Sequence, residues 1–585
     1  MFILILSLAY CIYFCCNRGM SGSARGQQTR RIFFATLAAM LPIAIGGYVV
    51  MPIIVGTGWM FTYPLLYHLT HRRTSPDYEN FADTTLGIYL IGLFTSLSLL
   101  ATLWKPLLLV LSVVEFIALV PVLFLWVYFA IYGHCVDEQT MLLIHETYLN
   151  EIIEYLRSFR WWVTAATLFG LFLTLIGCLW LTLSLETPLL PPLIDIPLYA
   201  KIGFSVVYAF SIGYYLFNPR HGFAYRAGLP TLRSDVKTYL SLGKRYISGL
   251  KARTARLSIK PLGKTYDKPH TILLVIGESA SRDYMSAFTA YHHDTTPWMR
   301  QMATDTTHTI LFPNAYSSTM HTVQVLEKAL TEKNQYNNKK WEDSCSIIDV
   351  AHALGYRVHW YSNQGHLGVF DTAVSIIAQT SDTAEWTKQR TGVIQFDKSL
   401  LPFLSELNPE ESNLLILHLK GSHFNFQNRY PNDTHTHWGK PGETLDSVLA
   451  YENSLRYTDE FLCEAYTYCR DHLGLSAMVY SSDHATDPTR RRTPHSTGFE
   501  HVRIPLFVWL SDAFLAHHDK RAEALKQNKM RYFTNDLLYE LMLGLFDVES
   551  NCFDPDSSLS YASYKYRRED LLTFDGKRHI AEDVT

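Results

Sequence analysis

The sequence predicts a polytopic helical membrane domain followed by an α/β domain with a mainly parallel sheet. Three observations support that architecture. Apolar spans crowd the first 217 residues, and the charged, His-rich sequence comes after them. From residue 269 the periodicity changes to short apolar strands alternating with helical stretches, the pattern of a sheet covered on both faces. Two apolar runs, Ile272 to Ile276 and Leu475 to Ser482, lead into Gly277-Glu278 and Asp483-His484 at their C-terminal ends. Open α/β sheets present their sites at those ends.

The membrane part is read from charge and length. Arg18, Arg25, Arg30 and Arg31 precede a long apolar segment from Ile32 to Leu69. Basic residues there favour a cytoplasmic start and a first span over residues 33–55. The segment is long enough for two spans, or for one span and an interfacial piece. Further spans read as 87–104, 106–132, 161–183 and 200–217, compatible with the ~20 apolar residues a bilayer needs. Five spans from an inside N-terminus put everything after residue 217 outside the cytoplasm. The apolar residues 1–16 have no positive flank and leave a short span, a signal remnant or an over-extended start open. Between the third and fourth spans, HETYLNEIIEYLRSF reads as an amphipathic surface helix or as a plain connector. The expected division is therefore 1–217 membrane domain, 218–268 basic linker with a helix at Ser234 to Leu250, and 269–585 α/β domain.

Composition narrows the function classes. A net charge of -3, with no basic tract carrying interleaved aromatics, gives no reason to expect nucleic acid as a partner. Of nine cysteines, Cys345, Cys463, Cys469 and Cys552 lie in the α/β part. An oxidising compartment would allow disulfides among them, in a pairing the sequence leaves open.

Within the α/β part, strands are expected at 271–276, 308–312, 356–361, 413–419, 475–481 and 504–509. Helices are expected at 322–331, 344–354, 397–405, 444–472 and 532–545. Glu278, Asp483 and His484 offer oxygen and imidazole donors suited to Zn²⁺ or Mn²⁺. Thr322 opens an apolar-periodic helix, so its hydroxyl reads either as a helix cap or, beside a metal, as a nucleophile. His423 follows a strand on a Gly-Ser turn, while His418 falls inside that strand. His495 and His501 precede the last strand. These loop histidines suit phosphoryl oxygens, leaving-group protonation or a second metal.

These residues carry a family resemblance. GES at 277–279, TTP at 295–297, HTVQVLEKAL, WYSNQ at 360–364, HLKGSHFNFQNRYP, YENSLRYTDEFL, SSDH at 481–484, PHSTG and HVRIPLFVW are together specific. The chain resembles the inner-membrane phosphoethanolamine transferases of Gram-negative bacteria, in the alkaline phosphatase and sulfatase superfamily. The resemblance covers nearly the whole chain and looks closest to the branch that modifies the lipopolysaccharide core heptose. It implies a multi-pass inner-membrane protein with a sulfatase-like periplasmic domain. Phosphatidylethanolamine would be the donor and lipopolysaccharide or another envelope glycan the acceptor. Glu278, Thr322, Asp483 and His484 would hold a catalytic Zn²⁺, in preference to Mn²⁺, and Thr322 would carry the group in transit. His423 and His495 match histidines at the phosphoryl group or a second zinc, and His501 one of the core-modifying branch. Asn363 and Gln364 would bind the phosphoethanolamine head, and Asp397, Asn453, Ser454 and Asp459 match positions of lesser definition.

One departure is local. Relatives continue SDHGE where this chain reads SDHATD, which puts Asp487 forward as a substitute carboxylate. Transfer to lipid A or a periplasmic glucan, a related membrane phosphodiesterase and a glycerophosphate transferase are the alternatives. A sulfatase lacks its C/S-x-P-x-R pattern at 317–326. A transporter is disfavoured because more than half the chain is extracytoplasmic and no charged residue clearly lines the spans.

Overall fold

The computed structural model describes all residues except 1–21, 72–80, 102–103, 105, 138–139, 142–143, 145–160, 185–191, 219–221, 264–265, 267, 365–371, 388–393, 491, 494 and 585. The expected readings of residues 1–16 and of HETYLNEIIEYLRSF lie outside the described residues. Two compact units result, one holding the helices up to Thr238 and the other running from Tyr239 to Thr585.

The first unit contains α1 (Gly22–Ala44), α2 (Val50–His71), α3 (Phe81–Leu100), α4 (Leu107–Tyr132), α5 (Trp161–Ser184) and α6 (Leu198–Phe217). Five of these, α2 to α6, are long and apolar enough to cross a membrane. The first span falls at Val50–Thr70 rather than at the expected 33–55. The reason is a break at Gly46 and Gly47. Gly46 takes φ +97°, and a Cβ on Gly47 would stand 2.5 Å from the Thr95 carbonyl oxygen. The long apolar segment therefore divides between α1 and α2. On α5, Trp161, Leu168, Phe169, Phe172 and Trp180 are exposed apolar side chains, as a lipid-facing surface requires. The expectation that no charged residue lines the spans is corrected by Glu115, buried within α4. One glutamate in a long apolar run is easily read past.

The second unit starts with the end of α7 (Gly228–Ser248), which contains most of the expected linker helix, and α8 (Leu250–Arg256). Here the linker packs on the α/β domain. Tyr246 stacks on Trp341, with ring centroids 4.7 Å apart and planes 9° from parallel. Arg253 and Asp349, both buried, pair at 3.4 Å. Asp349 also closes a capping box with Ser346 at the start of α10 (Ile347–Ala353). Asp349→Ala should leave a buried guanidinium without its carboxylate and destabilise the domain by roughly 3–5 kcal/mol. A drop in melting temperature of the full chain checks this.

Seven strands form the main sheet: β1 (Thr271–Gly277), β2 (Thr309–Leu311), β3 (Arg357–Ser362), β4 (Thr383–Trp386), β5 (Asn413–His418), β6 (Leu475–Ser482) and β7 (Leu506–Leu510). Their order is β2-β7-β6-β1-β5-β3-β4. β1 lies parallel between β5 and β6, and at one side β7 runs antiparallel to both of its neighbours, β6 and β2. Side chains alternate along β1. Ile272, Leu274 and Ile276 enter one core layer, and Leu273 and Val275 the other. Helices α9 (Thr322–Ala329), α10, α11 (Ala373–Ala378), α12 (Ser447–His472) and α13 (Leu538–Phe546) complete the part that matters for the site. Three expectations change, one of them the helix expected at 532–545, which begins only at Leu538 after a short strand, Phe533–Thr534, and a 3₁₀ turn, Asn535–Leu537. β4 is an additional edge strand whose residues are mostly half-buried, so it lacks an apolar run. The helix expected at 397–405 is a 3₁₀ segment, Asp397–Glu406, with Pro402 inside it.

Candidate active site

Central strands β1 and β6 end side by side, Gly277 opposite Ser482, and their next residues meet. Ser279 takes φ +60°, a conformation that non-glycine residues seldom adopt and that clusters at functional sites. Its backbone N–H donates to Asp483 Oδ1 (3.0 Å) and its hydroxyl to Glu278 Oε1 (2.6 Å). The next strand contributes the turn 419–422. Leu419 N–H donates to the Ile276 carbonyl and Ser422 N–H to that of Glu278, both at 2.9 Å. Gly421 in this turn has φ +50°, and a Cβ there would lie 2.7 Å from the Glu278 carbonyl oxygen. Gly421→Ala should displace Glu278 and cut turnover by about tenfold or more, since small misplacements of reacting groups are costly. Initial rates on folded protein, verified by melting curve, check it.

Three donors converge. His484 Nε2 lies 3.3 Å from Glu278 Oε1 and 3.4 Å from Asp483 Oδ2, and all three residues are buried. A tetrahedral zinc with ligands at 2.0–2.1 Å spaces its donors about 3.3 Å apart, so the group is already near that geometry. Asp483 Oδ2 is buried without a hydrogen bond among the described residues, a costly arrangement that a cation would relieve. Thr322 is the first residue of α9, after His321 at the cap position, so it is not itself the cap. Its Oγ1 donates to Glu278 Oε2 at 3.1 Å, which brings a hydroxyl oxygen beside this donor group. The residues present fit a metal.

The carboxylates share their charge unequally. Burial, then the Glu278 charge, pushes Asp483 up to about 7. Against the opposing effect of burial, the neighbouring His484 holds Glu278 well below the usual carboxylate range. Asp483 is thus the carboxylate that carries a proton when no cation is bound.

The expected site residues separate into groups. His423, half-buried on the turn after β5, lies close enough to help keep Glu278 ionised. His501 is buried, and burial pushes it down to about 4, so at neutral pH it is uncharged. Its Nδ1 has no hydrogen bond among the described residues. His495 is half-buried, and its backbone N–H donates to Thr493 Oγ1 (3.4 Å). None of these three joins the converging donor group. His418 is buried in β5. Gln364 Nε2 reaches Glu278 Oε2 (3.3 Å) and the Leu419 carbonyl (2.7 Å). Asn363 instead donates to Asp397 Oδ1 (2.8 Å) and accepts from Thr387 Oγ1 (2.7 Å). Asp397 is buried and accepts from the Lys420 and Gly421 backbone at 2.8 and 2.9 Å. Asn363 and Asp397 therefore anchor the turn beneath Glu278.

The supporting wall is built by α12. Asn453 holds the backbone of His437 and Trp438, Ser454 bonds Ser422, and Asp459 accepts from the Trp298 and Met299 N–H groups. Asp487 accepts from Tyr284 (3.1 Å) and Thr489, and it is not among the converging donors. The missing acidic residue of the departure is thus not replaced from there.

Two further residues were not singled out by sequence. Asn535 donates to the Asp483 carbonyl (2.6 Å) and accepts from Ser318 N–H (2.9 Å), tying the Thr322 loop to the end of β6. Arg492 Nη1 lies 2.8 Å from His484 Nε2 and donates to the Met320 carbonyl (3.1 Å). The same Nη1 also lies 2.8 Å from His484 Nδ1, against the imidazole. Asn535 carries no motif, and Arg492 sits within an arginine run that reads as surface charge.

The chain is also similar to known proteins. Residues 270–548 match the sulfatase family. The chain is 25% identical over 492 residues to phosphoethanolamine transferase EptC of Escherichia coli (strain K12), covering 77% of this chain and 83% of that one. Over 504 residues it is 25% identical to phosphoethanolamine transferase CptA of Salmonella typhimurium (strain LT2), with shares of 77% and 83%. The integral membrane lipooligosaccharide phosphoethanolamine transferase A (EptA) from Neisseria meningitidis has a similar fold. Its TM-score is 0.53 at 15% identity, over 88% of this chain and 98% of that one.

Proposed function

We propose that this chain, whose residues 270–548 belong to the sulfatase family and which is similar over most of its length to phosphoethanolamine transferases, transfers phosphoethanolamine between envelope amphiphiles. The donor is phosphatidylethanolamine and the acceptor a lipopolysaccharide oxygen, in the core heptose region. The observation that carries the reading is Thr322 Oγ1 held 3.1 Å from Glu278 Oε2 at the first residue of a helix, beside Asp483 and His484.

In the first half-reaction Thr322 Oγ1 attacks the phosphorus, and the phosphorus–oxygen bond to glycerol breaks. Diacylglycerol leaves as the alcohol. Glu278 Oε2 holds the hydroxyl proton before attack. The α9 N-terminus favours the negative phosphoryl group. His423, whose charge acts on Glu278, would hydrogen-bond an oxygen at the phosphorus, whereas neutral His501 would serve as a hydrogen-bonding wall rather than as a cationic acid. Gln364, against Glu278, borders the space for the ethanolamine-phosphate head. In the second half-reaction an acceptor hydroxyl or phosphate oxygen attacks the same phosphorus, and Thr322 regains its proton. Glu278, Asp483, His484 and Thr322 would hold Zn²⁺, which supplies a lowered hydroxyl pKa and charge stabilisation on the phosphoryl oxygens. Spanning helices suit such chemistry, because donor and acceptor both reside in membranes, and the α/β domain would face the periplasm from the inner membrane.

Mass analysis of lipopolysaccharide, separated into lipid A and core, tests the acceptor in cells with and without the chain. One added phosphoethanolamine on the core, absent with Thr322→Ala, is expected. The same increment on lipid A would overturn the acceptor, and none on either fraction would redirect the search to glucans.

A further inference from the structure

We propose that His292, His293 and Glu452 form a second site for a divalent cation of the zinc class, sharing no residue with the Glu278 group. Glu452 projects from α12 and its side chain is fully buried. Its ion-pair partners among the described residues are the two histidines. His293 Nδ1 lies 2.7 Å from Oε2, and His292 Nε2 lies 3.4 Å from Oε1. Consecutive side chains on an extended segment point to opposite faces. Here the chain turns between Tyr291 and Thr295, with Thr295 N–H donating to the His293 carbonyl at 3.0 Å. Both imidazoles therefore reach one carboxylate, their ring centroids 4.2 Å apart.

The groups behind these donors are also fixed. Tyr291 donates its hydroxyl to Glu452 Oε1 at 2.6 Å, which orients the carboxylate. The His293 ring stacks on Trp438, with centroids 4.7 Å apart and planes 16° from parallel. Metal sites are held in this way, by hydrogen bonds and packing on the far side of each ligand. The His292–Glu452 spacing already equals that between donors of a tetrahedral zinc, about 3.3 Å. The shorter His293–Glu452 contact is a hydrogen bond that a cation replaces by moving the two atoms roughly half an ångström apart. Two imidazoles and one carboxylate favour zinc over magnesium or calcium. His292 is 63% exposed, so the remaining coordination position opens to solvent, where water or an anionic oxygen can enter.

Such a cation would clamp the segment after Tyr291 to α12. Tyr451, the residue before Glu452, donates its hydroxyl to the Ser279 carbonyl and accepts from Ser281 N–H, each at 2.8 Å. The same stretch of helix thus holds the turn that follows Glu278.

The full-length chain in detergent, stripped of metal and titrated with Zn²⁺ by equilibrium dialysis, tests the proposal without any activity readout. Wild type is expected to bind one equivalent more than the double variant His292→Ala/His293→Ala. That variant should keep the equivalent which Asp483→Asn loses. His292→Ala alone removes an exposed ring, leaves the packing intact and should weaken the second site at least ~10-fold. Equal stoichiometry and affinity in wild type and His292→Ala would overturn the assignment, and would leave the reading of the Glu278 site untouched.

Discussion

Thr322→Ala should abolish phosphoethanolamine transfer while leaving the fold in place. The hydroxyl at the first residue of α9 carries the phosphoryl group in the proposed two-step reaction, and it donates to Glu278. Removing a nucleophile that forms a covalent intermediate typically costs about 10⁴-fold or more. Diacylglycerol release from phosphatidylethanolamine vesicles measures the first half-reaction by itself. Thr322→Ser keeps an oxygen at nearly the same place and should retain a measurable fraction of the rate. A Thr322→Ala protein that still released diacylglycerol at the wild-type rate would remove the threonine from the chemistry.

The second large effect is on metal. Asp483→Asn takes a negative charge from a buried carboxylate whose Oδ2 lies 3.4 Å from His484 Nε2. Such a variant should lose the metal at this site and lower transfer by about 10³-fold, comparable to removing a main stabiliser of transition-state charge. The pH dependence follows from Asp483, pushed up to about 7 chiefly by burial and then by Glu278. A metal must displace that proton, so affinity should fall about tenfold per pH unit below pH 7 and level off above it. Stability has the matching sign. Because the folded pKa of Asp483 is raised, the metal-free domain is favoured at low pH and loses stability as pH rises from the ordinary aspartate range through 7. Bound metal should therefore raise the melting temperature more at pH 8 than at pH 5. The reverse ordering would contradict a proton held on this carboxylate.

How much of this was legible in the sequence depended on how local the signal was. Glu278, Asp483 and His484 follow runs of apolar strand formers, so their meeting could be expected from two strand ends of one parallel sheet. Thr322 was equally visible as the start of an amphipathic helix. Asn363 and Asp397 were singled out through the family resemblance, yet their roles were not legible. Only the fold shows that they bond each other and the 420–421 backbone. Asn535 and Arg492 approach from segments with no motif. The first membrane span shifted because the Gly46-Gly47 break depends on the neighbouring Thr95, which hydropathy does not register. The His292–His293–Glu452 cluster joins positions about 160 residues apart, a separation no local pattern can bridge.

The covalent state of Thr322 tests the central claim most directly. Purified chain, loaded with Zn²⁺ and mixed with phosphatidylethanolamine in the absence of acceptor, would be digested and its peptides weighed. The account predicts one phosphoethanolamine group on the peptide holding Thr322, lost on addition of lipopolysaccharide and never formed by Thr322→Ala. An unmodified Thr322 in protein that is releasing diacylglycerol would contradict it.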